Sequence, residues 1–307
     1  MSLTHSVRIS RRHMLAGVGV TGLGIALLSP GMGAVSAQDA SPGPDADYPE
    51  FVITAADYHL ELPAASIPGG FTKVTLKNEG SRSHHAMFLK LNDGVTVDDF
   101  NVALESPDLG AIFSLATSLG GPEVDTGRTA SVILDLPAGQ YVVFCLIPEG
   151  DDATPHYMLG MHTPLEVTEA VERPAPTADG LVEMVDFGFG DMPMETTPGV
   201  HTWEVTNVGE QLHQFLVHRQ ADGVTFADVE AILAAEATPA TPTDAAAPEG
   251  PPPFVMVGGA APMSPGAVNY SILELEAGNY FAICFIPDPA SGAPHFAIGM
   301  LMPFTVA

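Results

Sequence analysis

The two cysteines of this 307-residue sequence, Cys145 and Cys284, each open the same short pattern. In CLIPEGDDATPHYMLGM (145–161) ten residues separate Cys145 from His156, and four more separate His156 from Met161. CFIPDPASGAPHFAIGM (284–300) repeats both spacings with Cys284, His295 and Met300. A thiolate, a neutral imidazole and a thioether on one loop are donors for a soft or borderline metal ion. Two cysteines in an exported chain more often form a disulfide. Here they hold equivalent places in two repeats, so bridging them would require two domain ends to meet within the reach of an S–S bond.

The elements that must position these donors are also repeated. VTLKNEGSRSHHAMFLKLNDGVTVDDF, from Val74, aligns with WEVTNVGEQLHQFLVHRQADGVTFADV, from Trp203, at an offset of 129 that sets His84 on His213. ASVILDLPAGQYVVFC then matches YSILELEAGNYFAIC at an offset of 139. The ten extra residues fit the low-complexity segment AAEATPATPTDAAAPEGPPP (234–253), which reads as a disordered insert. Each candidate first histidine follows an Asn-x-Gly turn, each cysteine ends an apolar strand, and Gly160 or Gly299 permits the turn just before the methionine. The candidate metal sets are therefore His84, Cys145, His156 and Met161, and His213, Cys284, His295 and Met300. His85 and Met158 compete with His84 and Met161, although only the latter pair have counterparts in the second copy. His59, His162, His201 and His218 lack partners in the other copy and read as surface or structural residues. Two such His with one Cys and a weak axial Met are the donors of a blue-copper electron-transfer site.

Hydrophobic residues make up 46% of the chain and charged residues 15%, as in a globular protein, and its Gly and Pro fall largely in turns between short apolar runs. That pattern predicts an all-β fold. One short helix is expected in each copy, after Thr96 and Thr225, where Thr96-x-x-Asp99 and Thr225-x-x-Asp228 read as capping boxes. The expected organisation is an export signal at 1–37, a leader at 38–47, domains at 48–172 and 181–307, and a Pro-rich linker at 173–180. SVRISRRHMLAG followed by an apolar run and AVSAQDA gives the signal its basic, apolar and small-residue parts, and SRRHML resembles a twin-arginine motif. Its removal leaves 7 Lys+Arg against 37 Asp+Glu, a formal charge of −30. So acidic a chain is ill-suited to nucleic acid. It suits either a basic partner or simply a solvated surface.

HYMLGM and HFAIGM resemble the His-x4-Met ligand loop of the cupredoxin (type 1 copper) family. LPAGQYVVFC and LEAGNYFAIC resemble its strand leading to the copper thiolate, and NVGEQLHQF its first-ligand turn. The resemblance covers nearly all of 48–307 and implies two tandem Greek-key β-sandwich domains, each binding one copper ion. Ten residues between Cys and His are more than in most small members. Copper oxidases and nitrite reductases of this fold place histidines beside the cysteine. Here the flanks are Phe144-Cys145-Leu146 and Ile283-Cys284-Phe285, and no His-x-His occurs. The expectation is thus an exported two-domain electron carrier and not an enzyme, cycling Cu(I)/Cu(II) with a redox partner protein in the periplasm, cell wall or medium. It has no stable membrane span once the signal is cleaved. A copper storage, delivery or resistance protein is the alternative reading, and a metal-free adhesion sandwich a third.

Overall fold

A computed structural model describes residues 48–105, 108–150, 153–236 and 252–307. The expected signal, the leader and most of the insert lie outside these residues. The rest is all-β, as the turn-rich apolar runs predict, and the strands repeat between copies. Met87–Leu91 pairs antiparallel with Gly139–Phe144, Met87 opposite Phe144. In the second copy His213–Gln220 pairs with Gly278–Ile283, placing Leu216 opposite Ile283. Each copy also opens with a parallel pair, Glu50–Ala56 on Ser66–Asn78 and Gly180–Val185 on Gly199–Asn207.

The repeated PAG and EAG turns work the same way. Tyr141 Oη donates to Pro137 O at 2.7 Å, and Tyr280 Oη to Glu276 O at 2.9 Å. Each tyrosine thereby pins the start of the strand that ends at its cysteine. Those strands feed two apolar cores. One gathers Phe51, Val74, Val132, Tyr141, Cys145 and Met161; the other gathers Val182, Trp203, Leu273, Tyr280, Cys284 and Met300. Burying such side chains contributes about 1.5–3 kcal/mol each, so the sulfur donors are held within the apolar core of each copy.

The copies meet in one compact unit. Thr129–Leu136 pairs antiparallel with Val268–Leu275, Val132 facing Ser271. These two residues are equivalents at the 139 offset, so each strand pairs with its own counterpart, as at a local two-fold axis. Ile133, on the face away from the first core, is fully buried there. Both expected helices form. Thr96 caps Val97–Leu104 in a reciprocal box with Asp99, and Thr225 and Asp228 exchange the same bonds ahead of Phe226–Glu236. The first copy adds a second helix, Leu109–Leu115, beyond the single one expected, started by Asp108 accepting from the amides of Gly110 and Ala111. No described helix is long and apolar enough to cross a membrane.

Candidate metal centres

The Asn-x-Gly turn delivers the first histidine of each set. Asn78 Oδ1 accepts from Gly80 N at 2.9 Å while its amide nitrogen donates to Arg82 O and Val124 O. Asn207 repeats this with Gly209 N, Gln211 O and Met263 O. His84 and His213 then begin strands, paired opposite Val124 and Met263. A Cβ on Gly80 would lie 2.5 Å from Asp57 Oδ1 and 2.8 Å from His84 Nε2; one on Gly209 would press on Asp186 Oδ1 and lie 2.7 Å from His213 Nε2. The motif needs glycine because a histidine–carboxylate pair sits against its backbone.

The cysteine loops close on themselves. Cys145 N donates to Met161 O, Tyr157 N to Cys145 O, and Met161 N to His156 O. Cys284, Phe296, Met300 and His295 repeat all three bonds. Gly160, at φ 107°, and Gly299, at φ 134°, take left-handed backbone where the loop turns into the methionine.

Three donors converge in each copy: His84, Cys145 and His156, and His213, Cys284 and His295, with the ligand atoms of each group within 4.8 Å of one another. His84 Nδ1 lies 3.1 Å from His156 Nδ1, and Cys145 Sγ 3.5 Å from the latter. The second copy gives 3.1 Å and 3.5 Å for the same pairs. Met161 and Met300 are fully buried in the cores that hold the cysteines, whereas Met158 is 40% exposed. His85 turns from the donors toward Glu123, its Nδ1 3.2 Å from Glu123 Oε2. Both cysteines are free thiols and buried. His201 is a structural residue, held by Asp179 and Thr197 O. His218 stacks on Phe281 at 5.1 Å.

Outer nitrogens fix three of the four tautomers. His84 Nε2 donates to Asp57 Oδ1 at 3.2 Å and His213 Nε2 to Asp186 Oδ1 at 2.6 Å. His295 Nε2 donates to Gln211 Oε1 at 3.2 Å, whereas His156 Nε2 lies 3.2 Å from Glu149 Oε2 without hydrogen-bond geometry. With the proton on Nε2, His84, His213 and His295 each present a bare lone pair at Nδ1. At the second centre two such lone pairs lie 3.1 Å apart beside a sulfur, and they repel each other unless a cation sits among them. The donors present thus fit a metal ion, and thiolate with imidazoles and a thioether at hand is a copper set.

Burial lowers the pKa of His84, His156 and His213 and takes His295 down to about 4. At neutral pH all four are neutral, so the contacts to Asp57 and Asp186 are hydrogen bonds and not ion pairs. Burial pushes both thiols up to about 12, outweighing the amides of His85 and Ile147 at Cys145, and of Gln214 and Ile286 at Cys284, which favour thiolate. A metal taking the thiolate must displace that proton. Asp57 is held down at about 2, chiefly by the Ser81 hydroxyl. For Asp186 burial works upward, but the bonds from His213 and the amides of Glu210 and Gln211 outweigh it.

Asp57 and Asp186, and the aromatics beside them, escaped the sequence reading. Tyr58 packs edge-on against His156 at 5.3 Å and Phe187 against His295 at 5.1 Å. A signal existed, since Asp57-Tyr58 and Asp186-Phe187 keep the same 129 offset as the first histidines. Surroundings differ between copies where the sequence does: Tyr58 Oη donates to Glu149, which also meets Arg82 at 2.9 Å, while Phe187 has no hydroxyl and Gln211 donates to Asp288.

No protein-family model matches this sequence, and neither does any curated protein. Among solved structures, the chain is similar to a blue copper oxidase from Nitrosomonas europaea: 14% identity, 85% of this chain and 86% of that one, TM-score 0.24. It is similar to a copper nitrite reductase from the same organism: 11% identity, 84% and 93% covered, TM-score 0.24. It is also similar to the auracyanin of Roseiflexus castenholzii: 21% identity, 43% and 99% covered, TM-score 0.26. The fold is all-β and built twice over, each copy around its own cysteine. The expectation that the chain is not an enzyme is overturned, because proteins named as oxidases and reductases are among these neighbours. The flanks of the two cysteines report on only two short stretches of chain, whereas ligands of a catalytic centre are gathered from distant ones. The case for metal at these two centres rests on their own geometry.

Proposed function

We propose that the chain is an exported copper protein with one type 1 centre in each of two domains, 48–172 and 181–307, and that these centres pass single electrons. The observation that carries this reading is the twice-built His–Cys–His group, its inner nitrogens 3.1 Å apart in both copies. His84, Cys145, His156 and Met161, and His213, Cys284, His295 and Met300, would hold the metal. Copper so held supplies a one-electron Cu(I)/Cu(II) couple.

The protein's own part is to keep that couple dry and unchanging. The six His and Cys donors are at most 1% exposed, and hydrogen bonds from the outer nitrogens of His84, His213 and His295 fix those rings before metal arrives. A rigid ligand set changes little between oxidation states. Met158 and Leu159, 40% and 44% exposed on the loop of His156, offer an apolar contact for a redox partner, and the chain's acidity favours a basic one. The test is to load the protein with Cu(II), count copper per chain and record the visible spectrum. Reversible voltammetry of the loaded protein separates an electron-passing centre from a store, which needs affinity alone.

A further inference from the structure

The residue after the first candidate ligand is His85 in one copy and Gln214 in the other, yet both do the same work. His85 Nε2 accepts from the amide of Leu146, 2.6 Å away, and Leu146 directly follows Cys145. Gln214 Oε1 accepts from the amide of Phe285, 3.3 Å away, and Phe285 directly follows Cys284. Each then turns its donor on one carboxylate. With its Nε2 lone pair taken, His85 donates from Nδ1 to Glu123 Oε2 at 3.2 Å, and Gln214 Nε2 donates to the same oxygen at 2.6 Å. An unbroken run of hydrogen bonds therefore joins the residue beside one cysteine to the residue beside the other.

All three side chains are buried: His85 is 1% exposed, Glu123 4% and Gln214 5%. Burying a carboxylate is costly unless it is well bonded, and apolar residues would close the contact at less cost. Glu123 also breaks the repeat, since Pro262 stands at its counterpart, so a single carboxylate serves both copies. The backbones touch around it, Ala261 N donating to Gly121 O at 2.8 Å and Ser264 N to Ser118 O at 3.0 Å.

We propose that His85, Glu123 and Gln214 form the route by which the two metal centres exchange an electron, a proposal that rests on the copper reading above. One electron leaves the reduced ion at one centre and arrives at the oxidised ion at the other. No proton moves, and no bond forms or breaks. The three side chains act as positioning and coupling residues, replacing van der Waals gaps with polarised hydrogen bonds across the contact between copies.

The test is proton NMR of the copper-loaded, half-reduced full chain, in which the Leu146 and Phe285 amides report each centre separately by paramagnetic broadening. Exchange within the chain gives a rate independent of protein concentration. His85→Leu and Gln214→Leu should keep two copper ions and slow that exchange at least tenfold, whereas Gln214→His, which copies the other half, should keep the parent rate. In the metal-free chain, amide hydrogen exchange at Phe285 should speed up in Gln214→Leu and stay slow in Gln214→His. Leu variants that hold both ions and exchange at the parent rate would overturn the proposal. If they do not fold, the unaltered chain decides, because broadening that rises in proportion to protein concentration means exchange only between chains and also overturns it. Failure to bind copper at all would instead remove the copper reading.

Discussion

Removing the Asp186 carboxylate gives the sharpest check on how the second centre is held. Asp186 Oδ1 accepts from His213 Nε2 at 2.6 Å with its side chain 28% exposed, a short bond from a neutral ring to a charged acceptor. Such bonds contribute about 1.5–3 kcal/mol, which at 1.4 kcal/mol per tenfold is roughly a 10–100-fold loss of affinity. Loss of a metal ligand's outer hydrogen-bond partner falls in the same range. At the first centre the equivalent bond, Asp57 to His84, is 3.2 Å and its carboxylate is 36% exposed, so solvent discounts it and Asp57→Ala should cost less. The assay is competition for copper against a chelator of known affinity, with Cys145→Ser leaving only the second centre and Cys284→Ser only the first. Affinity for Asp186→Ala within twofold of its parent, or a larger loss for Asp57→Ala, would refute the reasoning.

Gly209→Ala should displace His213 from Asp186, since the new methyl would lie 2.7 Å from His213 Nε2; the copper spectrum of the second centre should change while that of the first stays. Because burial holds both thiols at about 12, loading at pH 7 should release one thiol proton per copper, measurable by pH-stat, and copper affinity should fall as pH falls. His218, buried and with its pKa lowered to about 4 from 6.5, binds its proton more readily unfolded than folded. Its contribution is therefore complete above pH 6.5 and is lost as pH falls toward about 4, at about 1.4 kcal/mol per unit and about 3 kcal/mol in all. Denaturant titrations at pH 7 and pH 4.5 should show this slope reduced in His218→Phe, and an unchanged slope would exclude the assignment. Thr225→Ala should cost about 1 kcal/mol by removing the cap on Phe226–Glu236, read from the same titrations.

The donors were legible because they recur. A lone Cys-x10-His-x4-Met stretch is ambiguous, but two at matching spacing expose which residues move together, and the same logic set His84 ahead of His85. The helix starts were legible because a capping box is local. The carboxylates were not read, since Asp57 and Asp186 precede the segments where the repeat is obvious and a two-residue match is easily overlooked. The pairing of Val132 with Ser271 depends on register between strands far apart in the chain, which no local pattern encodes. The helix at Leu109–Leu115 rests on one Asp cap and has no counterpart to reinforce it. The Glu123 link was hidden for the opposite reason, because it lies where the two copies differ and comparison of repeats draws the eye to what they share.

The central claim is that each half of the chain builds one copper centre around its own cysteine. Copper stoichiometry read together with the thiolate-to-copper charge-transfer band tests it most directly, in the parent chain and in Cys145→Ser, Cys284→Ser and the double variant. The account predicts two, one, one and no band-bearing copper ions per chain, with each single variant retaining the spectrum of the other centre. A parent chain without that band, unchanged in copper content by either cysteine substitution, would contradict it.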